Sequence, residues 1–90
     1  MIKSFKHDGL RRFYETGSKA GIDPKHANKL GTILLALEVA THPRQLTGLR
    51  CHPLRYALAG HIAAVVTGNW RVTFRFEGED VVDVDYLDYH

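Results

Sequence analysis

Cysteine is almost absent from this sequence: Cys51 is the only one in 90 residues. No disulfide can form within the chain, and no second thiolate exists to help build a zinc site. The six histidines do not compensate, because none is paired at the tight spacing that places two ligands on one helix face. No metal site and no cofactor is therefore expected, and a reducing compartment, the cytoplasm, is the expected location. Long apolar runs are missing too. No stretch approaches the roughly 20 apolar residues of a membrane span. The start, Met1-Ile2-Lys3-Ser4-Phe5-Lys6-His7, alternates apolar and polar side chains where a secretory signal would be continuously apolar. No membrane partner is expected.

Charge of one sign is also scarce. Twelve basic residues against ten acidic ones leave a formal charge of +2, which permits a polyanionic partner without requiring one. The chain has no internal repeat and no low-complexity stretch. What is present, 44% hydrophobic and 24% charged residues, suits one domain over residues 1–90.

The order of elements follows from periodicity. Ile2 to Lys6 reads as a short strand. Asp8 is placed to cap a first helix in which Leu10, Phe13 and Tyr14 share a face, and Gly17 supplies its stop. Asp23-Pro24 begins a longer helix, with Ala27, Leu30, Ile33, Leu34 and Leu37 as its apolar stripe, and His42-Pro43 ends it. The period then falls to two. Trp70, Val72, Phe74 and Phe76 alternate with Arg71, Thr73 and Arg75, and this clearest strand is preceded by a Gly68-Asn69 turn. A second turn at Glu77 to Asp80 leads into a last strand, Val81 to Leu87. The expected architecture is α+β, with two N-terminal helices packed on a mainly antiparallel, twisted sheet of four to five strands.

Three groups of residues invite chemistry. Asp88, Tyr89 and His90 end the chain with a carboxylate, a phenol and an imidazole. In an extended backbone Asp88 and His90 share a face about 6.5 to 7 Å apart, with room for a phosphate between them. A carboxylate near a histidine favours its charged form. The triplet alone reads more often as a frayed tail than as a site. His52 is held extended by Pro53 and is placed to supply a complementary acid or base, or to be an ordinary surface histidine. Arg71 and Arg75, with Thr73 between them, make either a phosphate clamp or a solvated strand face, which Arg44, Arg50 and Arg55 would extend. Trp70 and Phe74 read as core.

Several stretches together resemble one family. They are Ile2-Lys3-Ser4-Phe5, Leu10 to Gly17, His52-Pro53-Leu54, the block Gly68-Asn69-Trp70-Arg71-Val72-Thr73-Phe74-Arg75-Phe76, and Val84-Asp85-Tyr86-Leu87-Asp88-Tyr89-His90. In this order they are similar to the HigB-like branch of the RelE toxin superfamily, the plasmid maintenance killer proteins. The resemblance implies a RelE-like microbial ribonuclease fold and the toxin of a type II toxin-antitoxin system. The implied activity is a ribosome-dependent, metal-independent endoribonuclease that cleaves translated mRNA by attack of the RNA 2′-hydroxyl. On the matching positions, His52, Asp88, Tyr89, His90 and Arg71 form the catalytic set, and Arg55, Arg71, Thr73 and Arg75 meet the RNA.

The implied partners are the ribosome with its mRNA and a helix-turn-helix, HigA-like antitoxin. Operator DNA is reached only through the complex with that antitoxin. One segment departs from the pattern. After His52-Pro53-Leu54 the relatives commonly continue with lysine and glycine, then another basic residue and an aromatic, whereas this chain has Arg55, Tyr56, Ala59 and Ile62. Fewer basic side chains weaken docking to RNA. The alternative reading is a catalytically weakened toxin fold that acts mainly by binding the antitoxin.

Overall fold

In the computed structural model, which describes residues 1–54 and 60–89, helix α1 spans Asp8–Thr16. Its cap is not Asp8, as expected, but His7, whose Nδ1 accepts the Leu10 amide at 2.9 Å. Asp8 opens the helix instead. There its carboxylate lies at the positive end of the helix dipole and pairs with Arg11 and, at 3.3 Å, Arg12. Gly17 ends α1 as expected: at φ 79° it turns the chain left-handed and returns its amide to the Phe13 carbonyl at 2.9 Å.

Asp23 accepts the Lys25 amide at 3.0 Å, but the residues it caps, Pro24–His26, form a 3-10 turn. Helix α2, Ala27–Val39, follows directly. The stripe read from the sequence is its buried face: Ala27, Leu30, Ile33, Leu34 and Leu37 are all buried. A second 3-10 turn, Pro43–Gln45, lies beyond the helix end.

The sheet has four antiparallel strands in sequence order: β1 (Cys51–Pro53), β2 (His61–Thr67), β3 (Trp70–Glu77) and β4 (Asp80–Asp88). The hairpin turns stand where glycine allows positive φ, at Gly68 (53°) and Gly78 (63°). Residues 1–6 do not form a full strand. They run parallel to β4 through bridges at Ile2 with Val81 and Phe5 with Val84, closed by Lys3 and Lys6 amides donating to Val81 and Val84 carbonyls at 2.8 Å.

Two irregularities set the faces of the sheet. The pairing shifts between Val65 and Thr67 on β2, and between Thr73 and Arg75 opposite β4. Asp83 lies at the second shift with φ 56°, a left-handed conformation that aspartate tolerates better than most residues. Its amide donates to Ser4 Oγ at 2.8 Å. Leu10, Leu30, Ile33 and Leu37 of the helices share one hydrophobic cluster with Ala64, Val72, Phe74, Val81 and Val84 of the sheet. The start of α1 also packs closely against residue 21. A Cβ on Gly9 would press on the Gly21 carbonyl oxygen and lie 2.8 Å from the Gly21 carbonyl carbon.

Candidate active site

Strand register decides which of the candidate side chains share a face. His52 is opposite Ala63, Ala63 opposite Thr73, and Thr73 opposite Asp85, so these four make a row across the whole sheet. Arg71 stands two residues from Thr73 on the same face, between Val65 and Leu87. The alternate residues face the other way: Val72 pairs with Tyr86, and Trp70 with Asp88. His52 and Arg71 therefore share one face, and Asp88 belongs to the other.

Arg71 Nη1 donates to the Gly68 carbonyl at 2.7 Å and to the Trp70 carbonyl at 2.9 Å. Both acceptors are neutral, so the bonds orient the guanidinium without cancelling its charge. The same turn holds the tail. Tyr89 donates its amide to the Asn69 carbonyl at 2.8 Å, extending the ladder one step past β4. Arg71 and Tyr89 are thus anchored on adjacent carbonyls of one two-residue turn.

The remaining strand residues are less open than an alternating pattern implies. Thr73, expected on a solvated face, is only 4% exposed. Its neighbours explain this, since Ala63, also buried, flanks it in the row, and Arg71 and Arg75 stand on either side along β3. The side chain expected to meet RNA is thus largely covered. Arg75 donates Nε to Asp83 at 2.7 Å and Nη2 to Glu77 at 3.2 Å. These bonds compensate the arginine's charge, and the one from Nε holds the Asp83 carboxyl below its ordinary range. His52 is exposed on edge strand β1. Burial raises the pKa of the Cys51 thiol, which disfavours a thiolate nucleophile there. His90 and Arg55 lie outside the described residues, as do Tyr56 and Ala59 of the divergent segment.

Three residues missed in the sequence enter the site or its support. Asp85 brings a half-buried carboxylate into the row of His52 and Thr73, with Oδ1 accepting the Tyr86 amide at 2.9 Å. The two-residue period of β4 holds that signal, but the register is needed to use it. His26 and Tyr86 are both buried, and their side chains meet, His26 Nδ1 lying 2.5 Å from the Tyr86 hydroxyl. His26 precedes Leu30 by four residues and so extends the α2 stripe by one turn. Among the described residues no three His, Cys, Asp or Glu side chains gather as a metal-ion site.

The fold is that of a RelE-like toxin, and the chain matches the family described as RelE-like toxin of type II toxin-antitoxin system HigB over residues 3–90. It is also 36% identical, over 92 positions that cover all of both chains, to Endoribonuclease HigB of Proteus vulgaris. The protein belongs to the HigB-like toxin family.

Proposed function

We propose that the protein is a ribosome-dependent endoribonuclease that cleaves translated mRNA. Support comes from family membership, the relative's stated activity, and above all the common anchorage of Arg71 and Tyr89 on the Gly68-Asn69 turn. That turn brings Tyr89 and a guanidinium bonded only to neutral carbonyls among the described residues to one end of the β3–β4 hairpin.

In the proposed reaction the RNA 2′-hydroxyl loses its proton to a general base, the 2′-oxygen bonds to phosphorus, and the phosphorus–O5′ bond breaks. A general acid protonates the leaving O5′, and a 2′,3′-cyclic phosphate remains. No cofactor enters this balance. His52, on the face of Arg71, is the proposed base, and His90 the acid, its charged form favoured by Asp88 two residues earlier. Arg71 stabilises charge on the phosphorane and Tyr89 orients the RNA. Arg55, Thr73 and Arg75 complete the proposed RNA surface.

As a type II toxin the protein has an antitoxin partner. The proposed partner is a helix-turn-helix, HigA-like protein, with operator DNA bound through the complex. The pairing of Arg75 with Asp83 and Glu77 favours a second reading, a toxin whose grip on RNA is weak and whose main contact is the antitoxin.

Induction in bacteria with mapping of mRNA ends separates the two. The nuclease gives growth arrest and new cuts within translated codons, both lost when His90 is deleted. Unchanged growth and transcripts with soluble toxin and no antitoxin would refute nuclease activity. Equal cutting of free and ribosome-bound RNA would refute ribosome dependence.

A further inference from the structure

His26 is buried, polar and unused by the proposed reaction. It is 6% exposed, and the Tyr86 hydroxyl that meets its Nδ1 belongs to a side chain only 4% exposed. Where the Tyr86 hydroxyl donates to Nδ1, Nε2 is left as the ring's donor, and it faces Asp23 Oδ2 at 3.9 Å. The imidazole also meets the Trp70 ring edge-on, with centroids 5.3 Å apart. Trp70 in turn lies against the Tyr86 ring at 4.6 Å and 30°, and the His7 ring stands 5.2 Å from that of Tyr86.

The two side chains that His26 touches are the same-face neighbours of Asp88 on the sheet. Tyr86 precedes Asp88 by two residues on β4, and Trp70 is its partner across the ladder. Burial is the main cause that raises the Tyr86 phenol's pKa; the Asp23 backbone opposes it, and the charges of Asp23 and, least, Asp88 add to it. An apolar side chain at position 26 would fill the space. It would not fix the lateral position of the Tyr86 hydroxyl, which a hydrogen bond does.

We propose that His26 is a positioning residue for the C-terminal tail: through its bond to Tyr86 and its contact with Trp70 it fixes where β4 ends and so where Asp88 and Tyr89 stand. The consequence for catalysis rests on the nuclease reading above; the consequence for the tail's conformation does not.

The test compares the full-length protein with Tyr86→Phe, which removes one hydroxyl, and with His26→Leu, His26→Asn and the His26→Leu/Tyr86→Phe pair. Asparagine places an acceptor near the position of Nδ1. Two readouts are taken: the backbone amide resonances of residues 88–90, and kcat and KM for cleavage of mRNA on ribosomes.

Tyr86→Phe is expected to shift or broaden the tail resonances while the helix resonances beyond residue 30 stay in place. It should lower kcat about tenfold and leave KM within about twofold, as for an interaction that aligns reacting groups. The pair should be no worse than the poorer single variant, and His26→Asn should recover most of the loss. Should His26→Leu fail to fold, Tyr86→Phe and His26→Asn carry the comparison.

Unmoved tail resonances in Tyr86→Phe would overturn the proposal, as would losses that multiply in the pair or a rise in KM at constant kcat. A wild-type protein that cuts nothing would instead refute the nuclease reading, and the resonances would still decide the positioning role.

Discussion

Trp70 and Asp88 stand directly opposite each other across β3 and β4, whereas Arg71, one residue along from Trp70, pairs with Leu87 on the other face. Of the proposed site residues, His52 and Arg71 therefore share one face of the sheet and Asp88 belongs to the other. In the proposed reaction Arg71 and His52 meet the RNA from one side, and Asp88 acts from beyond the strand end. That geometry makes the Gly68-Asn69 turn the meeting point of the two sets.

Arg71 should be the most sensitive position on β3. Arg71→Ala is expected to lower kcat for cleavage of mRNA on ribosomes by roughly 10²- to 10³-fold, the range for losing one oriented charge donor at a developing anion. Arg71→Lys should recover little, since an ammonium cannot span both the turn carbonyls and a phosphate as a guanidinium can. Unaltered cleavage by Arg71→Ala would remove Arg71 from the site.

Gly9 and Gly31 should respond in opposite directions to alanine. The close approach at Gly9 is to the backbone of Gly21, which cannot yield as a flexible side chain would, so Gly9→Ala should cost about 1–3 kcal/mol or more. Gly31 lies within α2, and a methyl group there would meet nothing within 4 Å, so Gly31→Ala should add up to about 1 kcal/mol. Urea unfolding of the two variants measures both.

The Tyr14–Glu38 pair should give the protein an alkaline limb. The Tyr14 phenol donates to Glu38 Oε1, and this bond, with burial and the carboxylate's charge, pushes the phenol's pKa from 10.0 up to about 12. A raised pKa means the contribution is fully present below the unfolded value and is lost as pH rises through the folded one. Tm should therefore fall between about pH 10 and pH 12, and Tyr14→Phe should flatten that fall. Equal slopes in the two proteins would show that the bond does not contribute.

An acid limb is expected from Asp83. The hydrogen bond from Arg75, its largest influence, holds the carboxyl below 3.8. The contribution of a lowered pKa is present above the unfolded value and disappears as pH falls through the folded one. Asp83→Asn, which keeps a residue tolerant of positive φ, should lose stability at neutral pH and show a shallower decline below about pH 4. It should also leave Arg75 with Glu77 as its remaining carboxylate partner among the described residues, so tighter RNA binding by this variant at low salt would show that the ion pair with Asp83 restrains the basic face.

Where one physical signal dominates, the fold is legible in the sequence. The α2 stripe is readable because a helix buried along one side repeats its apolar residues every three or four positions, and the hairpins because Gly68 and Gly78 meet a backbone need that few residues satisfy. The α1 cap is not, because His7 and Asp8 both carry suitable acceptors, and only the folded approach of His7 to the Leu10 amide separates them. Thr73 escapes the sequence for a related reason. Alternation marks polar residues as exposed only where one face is open, and here Ala63 and Ala64 are buried in succession. The tail triplet can be named from resemblance, but the placing of Asp88 on the face away from His52 depends on register, which the shift at Asp83 and the turn at Gly68 set together.

The N-terminal segment and β4 are joined by the bridges at Val81 and Val84, although nearly the whole chain separates them in sequence. During synthesis Ile2 and Phe5 have to wait without a sheet partner until the strand carrying Asp88 has been made. A chain made only as far as β3 thus lacks both the partner of its first residues and the groups proposed to cut RNA, so the proposed site cannot assemble before β4 has been made.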